Sequence, residues 1–558
     1  MMRRRTLTRL LAALSFTALA ISTAQAKEPG SSPARAPNFL VIVADDLGYS
    51  DLGAFGGEIR TPNLDALAKR GVRFTNFHAA PACSPTRAML LTGTDPHRVG
   101  LGAMELVTPN QRGKRGLEGY LRSDNATLAE LLSAQGYRTF LSGKWHLGSA
   151  PGQDPHDRGF QRSFAVLPAA HNHFGLGLAT DPAKGIVYTD DGKIVPRLPA
   201  DFYSSDYFAS RMVDFLKQAS QGPDKDKPFF AYLAFTAPHA PLQAPKEDIA
   251  RYRGVYDAGF DALRTRRLER QAALGLYDPN TPAHARLKPI GGWDALTPAQ
   301  KAESSREMEV FAAMVDRLDQ NVGRVVAELK RSGKLDNTVI LFLSDNGPEG
   351  MDYDNAELAS LKKRHDESDN RLDNLGAATS FVGYGPGWAS ASAAPSWLYK
   401  TYATEGGTRT ASFITGPASL VGPARIGRAF LTAADIAPTL LALAGAPDPS
   451  GTFQGRTVEL IQGRSILPWL GGKASAVHGP DEVFGNELFG SRSIRKGNWK
   501  ITDTGDGQWH LFDIVADPGE TKDLSTSNPA KLTELTGEWD RYVEKNGVVL
   551  PTGRFHSP

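Results

Sequence analysis

The sequence predicts an α/β fold: an α/β/α sandwich with a mostly parallel central sheet, followed by a smaller C-terminal subdomain with an antiparallel sheet and a helix. Three observations carry this. Apolar runs at 39–43, 229–235 and 339–343 have the length of strands buried on both faces, as in a parallel sheet. Helical patterns alternate with them. After about residue 475 the texture changes to short strands separated by glycine-containing turns.

Taken in order, residues 27–37 are a polar linker rich in Pro, Gly and Ser. The strand at 39–43 ends in Asp45-Asp46-Leu47-Gly48. Thr61-Pro62 supplies an N-cap with proline at the first helical position, and Gly71 closes that helix. Cys83-Ser84-Pro85-Thr86-Arg87 runs into an apolar helical turn at 88–93. Thr127 and Glu130 have the spacing of a capping box, before a helix at 128–135 that Gly136 ends. Residues 137–141 alternate as a strand does and deliver Gly143-Lys144-Trp145-His146-Leu147-Gly148. The run at 229–235 ends in Ala237-Pro238-His239, and residues 245–300 are charged and helix-prone. Met308, Phe311, Val315, Leu318, Val322, Val325 and Leu329 repeat at the spacing of one buried helical face, giving a helix at about 305–330. The strand at 339–343 ends in Ser344-Asp345-Asn346-Gly347. Short strands at 482–488, 491–495, 498–502 and 509–514 precede a helix at about 529–545.

The expected organisation is a signal peptide at 1–26, the linker at 27–37, a main domain at 38–474 and the C-terminal subdomain at 475–558. The signal reading rests on a basic start, an apolar run at 10–21 and Ala24-Gln25-Ala26, a small-x-small cleavage site cut after Ala26. That run is shorter than the ~20 apolar residues a membrane span needs. Arg4-Arg5 weakly resembles a twin-arginine signal. The mature chain is thus expected in the periplasm or secreted, after passage through export machinery, with no stable membrane insertion. The formal charge of +2 over 558 residues becomes −2 without residues 1–26, and no clustered basic face points to nucleic acid.

Cys83 is the only cysteine, which excludes an internal disulfide and a multi-thiolate zinc site. Alone it reads as a buried free thiol. The strand ends carry the polar groups: Asp45 and Asp46, His239, Asp345 and Asn346. Each alone reads as a turn or structural residue. Together, three carboxylates and an amide oxygen at one sheet edge suit a hard cation such as Ca²⁺ or Mg²⁺. Lys144 and His146, two apart on an extended segment, share a face, and with Arg87 and His239 offer positive charge and proton donors to an anion. His78 and His97 read as structural. His171-Asn172-His173 is a weaker candidate for contact with the organic part of a substrate.

These residues resemble the formylglycine-dependent sulfatases of the alkaline-phosphatase-like superfamily. Cys83-Ser84-Pro85-Thr86-Arg87 with the following apolar-Thr-Gly run fits the family's first signature, and residues 136–148 fit its second. Tyr399-Lys400-Thr401 before Glu405-Gly406-Gly407-Thr408-Arg409 falls in the right order, and the similarity runs from about 38 to 545, closest in appearance to bacterial arylsulfatases. The resemblance implies a sulfuric ester hydrolase that cleaves sulfate esters, aryl sulfates above all, through a hydrated Cα-formylglycine at residue 83 and a covalent hemisulfate. A separate maturing enzyme would read Cys83-Ser84-Pro85-Thr86-Arg87. Asp45, Asp46, Asp345, Asn346 and residue 83 would hold one Ca²⁺. Arg87 and His146 would hold the diol, Lys144 and Lys400 the sulfate oxygens, and His239 would serve the leaving oxygen. The alternatives are a phosphodiesterase or phosphonate monoester hydrolase on the same scaffold, and a non-catalytic anion-binding protein in which Cys83 stays a thiol.

Overall fold

The fold is built outward from β1 (Asn38–Ala44), whose seven residues are all buried. Leu40, Ile42 and Ala44 join the core on one face of the sheet, and Phe39, Val41 and Val43 join the core on the other. This is the alternation a strand must show when both faces are covered. The computed structural model describes residues 36–552 apart from 177–179, 182–184, 286–290 and 357. The expected signal peptide, its cleavage point and most of the linker lie outside the described residues.

The central sheet has ten strands. In chain order they are β1, β2 (Val72–Phe74), β3 (Arg138–Lys144), β4 (Arg162–Val166), β5 (Tyr188–Asp190), β6 (Lys193–Ile194), β7 (Phe229–Ala234), β8 (Thr338–Ser344), β9 (Ser412–Thr415) and β10 (Arg425–Gly427). The spatial order is β10-β2-β9-β8-β1-β7-β3-β4-β5-β6. The five central strands, β8-β1-β7-β3-β4, are parallel. The antiparallel pairings lie outside them, at β8–β9, β9–β2, β4–β5 and β5–β6.

On one face lie α1 (Pro62–Arg70), α4 (Ser204–Ala219), α5 (Gly259–Ala273) and α6 (Pro298–Arg331); on the other lie α2 (Cys83–Thr92), α3 (Leu128–Ala134) and α7 (Ile436–Ala444). The capping box at Thr127 and Glu130 is formed in full. All seven residues of the expected apolar stripe on α6 are buried. The helix itself begins earlier than the stripe predicts. Thr297 and Gln300 cap it reciprocally, and Pro298 occupies the first turn. Residues 298–304 are mostly exposed, so no apolar period announces that turn.

The C-terminal strands β11 (Val483–Leu488), β12 (Ser491–Lys496), β13 (Trp499–Asp503) and β14 (His510–Asp513) form an antiparallel meander. The helix α8 (Pro529–Asn546) covers it around Ile494, Ile501, Leu511, Leu535 and Trp539. Buried polar contacts join this layer to the rest: Lys500 Nζ to Glu405 at 2.9 Å and Glu520 at 3.0 Å, Tyr542 Oη to Asp95 at 2.7 Å, and His97 between Asp95 and Glu487. Among the described residues no helix is long and apolar enough to cross a membrane.

Candidate active site

Parallel strands put all their C-terminal ends on one edge, and the loops beyond that edge collect the polar residues. Asp45 and Asp46 follow β1, Lys144 ends β3 with His146 just after it, His239 follows β7, and Asp345 and Asn346 follow β8. Two glycines let the loops come together. Gly143 has φ +119, and a Cβ there would lie 1.8 Å from the Ala234 carbonyl oxygen on the neighbouring strand. A Cβ on Gly347 would lie 1.9 Å from the Gly406 carbonyl oxygen, so only glycine lets the segment carrying Lys400 approach the Asp345–Asn346 turn. Cys83 is the first residue of α2, at the end where unpaired backbone N–H groups favour negative charge.

Each of the three cations has one nearest carboxylate. Arg87 grips Asp345 Oδ2 through Nε at 2.9 Å and Nη2 at 2.6 Å, and its Nη1 donates to the Lys144 carbonyl at 3.0 Å. Lys144 Nζ lies 2.7 and 2.9 Å from the two oxygens of Asp45. Lys400 Nζ donates to Asp46 Oδ2 at 2.8 Å. His239 Nε2 stands 3.6 Å from the same oxygen. Asp45, Asp46, Cys83 and His239 offer ligand atoms that all lie within 4.8 Å of one another.

Asn346 Nδ2 donates to Asp46 Oδ1 at 2.7 Å, while its buried Oδ1 has no hydrogen-bond partner. A buried amide oxygen left unpaired beside three carboxylates is a donor set for a hard oxygen-seeking cation, so the residues fit such an ion. Asp345 presents Oδ1 to the backbone N–H of Asp46 at 3.3 Å and gives Oδ2 to Arg87.

Burial and charge set the protonation states. Burial pushes the Cys83 thiol up to about 12 in spite of Lys144 and Lys400, so the thiol keeps its proton. Burial and the Asp45 charge raise Asp345 to about 6. Burial works against the Asp46 carboxylate too, but Lys400 and His239 outweigh it and hold it down to about 2. Burial, with Lys144 and Arg87 beside it, drives His146 well below its usual value, and burial takes His239 down to about 4. Both imidazoles are neutral at pH 7. The Ala240 carbonyl accepts from His239 Nδ1 at 2.6 Å, which leaves Nε2, on the Asp46 side, as the nitrogen that exchanges a proton.

Every residue expected at the site from sequence is brought to this edge. One local expectation is corrected: the Lys144–His146 segment is not extended, because His146 adopts left-handed φ (+57). Asp46 (+67) and Thr401 (+74), beside Lys400, do the same, so backbone strain gathers at the site. His78 and His97 are buried against carboxylates, His78 on Glu405 at 2.8 Å, in keeping with their structural reading.

Three supports have roles that the sequence reading did not give them; His173, read there as a candidate contact to the organic part of a substrate, is buried to 1% exposure. His173 Nε2 donates to the His239 carbonyl at 3.0 Å, and its Nδ1 accepts from Ser204 Oγ at 2.7 Å. Glu349 reaches Lys400 Nζ at 3.0 Å. Arg267, on α5, binds Asp51 at 2.5 Å, and Asp51 in turn accepts from Gly48 N–H at 2.7 Å, which fixes the loop after Asp45 and Asp46. An acid two residues past the Asp-Asn-Gly turn was the available signal for Glu349; the His-Asn-His spacing marked His173 without its role, and Arg267 acts through a second residue and leaves no spacing to read.

A family model described as Sulfatase matches residues 37–446. The chain is 47% identical over 536 residues to an uncharacterized sulfatase of Schizosaccharomyces pombe, covering 93% of this chain and 95% of that one. It is 40% identical over 447 residues to an arylsulfatase of Klebsiella aerogenes, covering 79% and 92%. Among solved structures, the crystal structure of Ps i-CgsB matches with a TM-score of 0.65 and 28% identity, over 92% of this chain and 93% of that one.

Proposed function

The chain belongs to the sulfatase family and hydrolyses sulfate esters, and from that premise we propose that it is an exported, calcium-dependent arylsulfatase of the formylglycine type. The observation that carries the site assignment is the convergence on residue 83 of Arg87, Lys144, Lys400, two neutral histidines and the acidic cluster. Burial pushes the Cys83 thiol up to about 12, so as a thiol it would be a poor nucleophile at neutral pH. Similarity to the Klebsiella aerogenes arylsulfatase supports aryl sulfates as the substrate class. The same reading assigns residues 1–26 to a signal peptide, 38–474 to the catalytic domain and 475–558 to the C-terminal subdomain.

Asp45, Asp46, Asp345, Asn346 and residue 83 would hold Ca²⁺, which supplies polarisation of the sulfate oxygens when bound. As a hydrated aldehyde, residue 83 supplies one hydroxyl to attack sulfur and a second whose deprotonation lets sulfate leave by C–O cleavage. The chain's own groups do the rest. Arg87, fixed by Asp345, orients the side chain at position 83. The Lys144 and Lys400 ammonium groups bind the sulfate oxygens and neutralise charge as it builds. Neutral His146, whose Nδ1 is buried without a partner, accepts a hydroxyl proton. His239, oriented by Ala240 and His173, meets the leaving oxygen with Nε2.

Peptide mass spectrometry of the mature protein, alongside turnover of p-nitrophenyl sulfate by the wild type and by Cys83→Ala, tests the reading. The expected result is an aldehyde at residue 83 and loss of turnover in the variant. An unmodified, fully active cysteine form would overturn it.

A further inference from the structure

The three cations around residue 83 each have a carboxylate of their own: Arg87 has Asp345, Lys144 has Asp45, and Lys400 has Asp46. Glu349 is a fourth carboxylate with no cation left for it. Its Oε2 shares the Lys400 ammonium at 3.0 Å, and its Oε1 accepts from the Met351 N–H at 3.2 Å. Its side chain is only 13% exposed, so this charge is held against Lys400 and is not a freely solvated surface group. It lies three residues beyond Asn346, outside the set expected to hold the cation.

A pocket that binds an anion has no need of an extra negative charge for affinity. What such a charge does is penalise each further unit of negative charge on the ligand. A sulfate monoester carries one charge. A phosphate monoester carries close to two above its second ionisation, at about pH 6. The two head groups are otherwise alike in shape and oxygen count, so charge is the property left to tell them apart.

We propose that Glu349 is a specificity-determining residue that restricts the pocket to monoanionic head groups and turns away the dianionic head group of phosphate monoesters. This rests on the site reading given above. Lys400 is the lever: shared between Asp46 and Glu349, its ammonium has less charge to offer a ligand than a lysine paired once. One unit charge at roughly 6 Å, screened between the limits of protein interior and water, changes relative binding by about tenfold.

The experiment compares wild type, Glu349→Gln and Glu349→Asp at pH 8 on p-nitrophenyl sulfate, p-nitrophenyl phosphate and the monoanionic bis(p-nitrophenyl) phosphate. The glutamine variant keeps an oxygen for Lys400 and removes the charge. It is expected to raise the phosphate-monoester-to-sulfate ratio of kcat/KM about tenfold, with the diester-to-sulfate ratio unchanged. The aspartate variant, which keeps the charge, is expected to hold the wild-type ratio. Equal losses on all three substrates would mean that Glu349 only props Lys400, and would overturn the proposal, as would an unchanged ratio.

A second readout needs no turnover. Calorimetric binding of phenyl phosphate and phenyl sulfate to Cys83→Ala, with and without Glu349→Gln, is expected to show the same tenfold change in preference. If the wild type fails to cleave any sulfate ester, the site reading fails, and the binding pair still decides the charge proposal.

Discussion

Replacing Arg267 with Met removes the only cation that faces two buried acids among the described residues of that cluster. Arg267 is fully buried; it contacts Asp51 at 2.5 Å and Glu58 through both Nε and Nη2 at 2.8 Å. In the variant Asp51 keeps the Gly48 N–H and the Ser392 hydroxyl, and Glu58 keeps the Tyr256 hydroxyl. Neither keeps a counter-charge. Breaking a buried pair of this kind costs about 3–5 kcal/mol, and the remaining hydrogen bonds place the expectation at about 4 kcal/mol.

The loss has a pH signature. Burial already raises Asp51, while Arg267 overcomes burial to hold Glu58 below its usual range. Without Arg267 both folded-state values lie above the unfolded values of about 4. The folded variant then binds more protons than the unfolded chain, so its stability falls as pH rises through the shifted values. Urea midpoints at pH 5 and pH 8 should therefore show the larger deficit at pH 8, and the triple variant Arg267→Met, Asp51→Asn, Glu58→Gln should recover most of it. A deficit below about 1 kcal/mol, or one larger at pH 5, would refute the reasoning. Activity should fall with stability, because the same clamp fixes the loop behind Asp45 and Asp46.

Two further outcomes are expected. Burial alone would lower His97, but hydrogen bonds to Asp95 and Glu487 raise it to about 9, so its contribution is complete below the unfolded value of about 6.5 and lost as pH climbs through 9. Denaturation midpoints between pH 6 and 10 should drop more steeply in the wild type than in His97→Gln, by about 3 kcal/mol in all; parallel slopes would contradict this. Chelation by EDTA should abolish sulfatase turnover and lower the melting temperature, with Ca²⁺ at a hundred times its dissociation constant restoring about 2.7 kcal/mol; a melting temperature indifferent to EDTA would argue against a bound cation.

Much of this was legible in the sequence for a physical reason. Strands buried on both faces have to be apolar throughout, so β1, β7 and β8 stand out as runs, and the polar residues that end them mark the edge where the loops meet. The short flanking strands β2, β9 and β10 carry three or four residues each, too few for any period to register. The first turn of α6 was hidden because its residues face water; only Thr297, Pro298 and Gln300 announced it. At the site, the residues to which the proposal gives direct roles sit in signature spacing. The left-handed backbone at His146 and the supporting contacts of His173 and Arg267 depend on which loops fold against each other, and no local pattern encodes that.

Under the proposed conversion, the position of residue 83 within α2 also bears on the order of events. Cys83, Ser84, Pro85, Thr86, Arg87 and Ala88 are all buried, the cysteine to 1% exposure. An enzyme that reads this segment has to hold those side chains itself, which in the folded chain would mean lifting Arg87 off Asp345 and unwinding the helix from the sheet edge. If residue 83 is converted as proposed, oxidation would belong to the interval between synthesis and folding, and the two processes would race. On that reading a chain that folds first would stay in the thiol form. The active fraction of a preparation would then report the ratio of two rates. Incubating unconverted protein with the maturing enzyme should leave it inactive, whereas unfolding it in urea and diluting it into that enzyme should reopen the window.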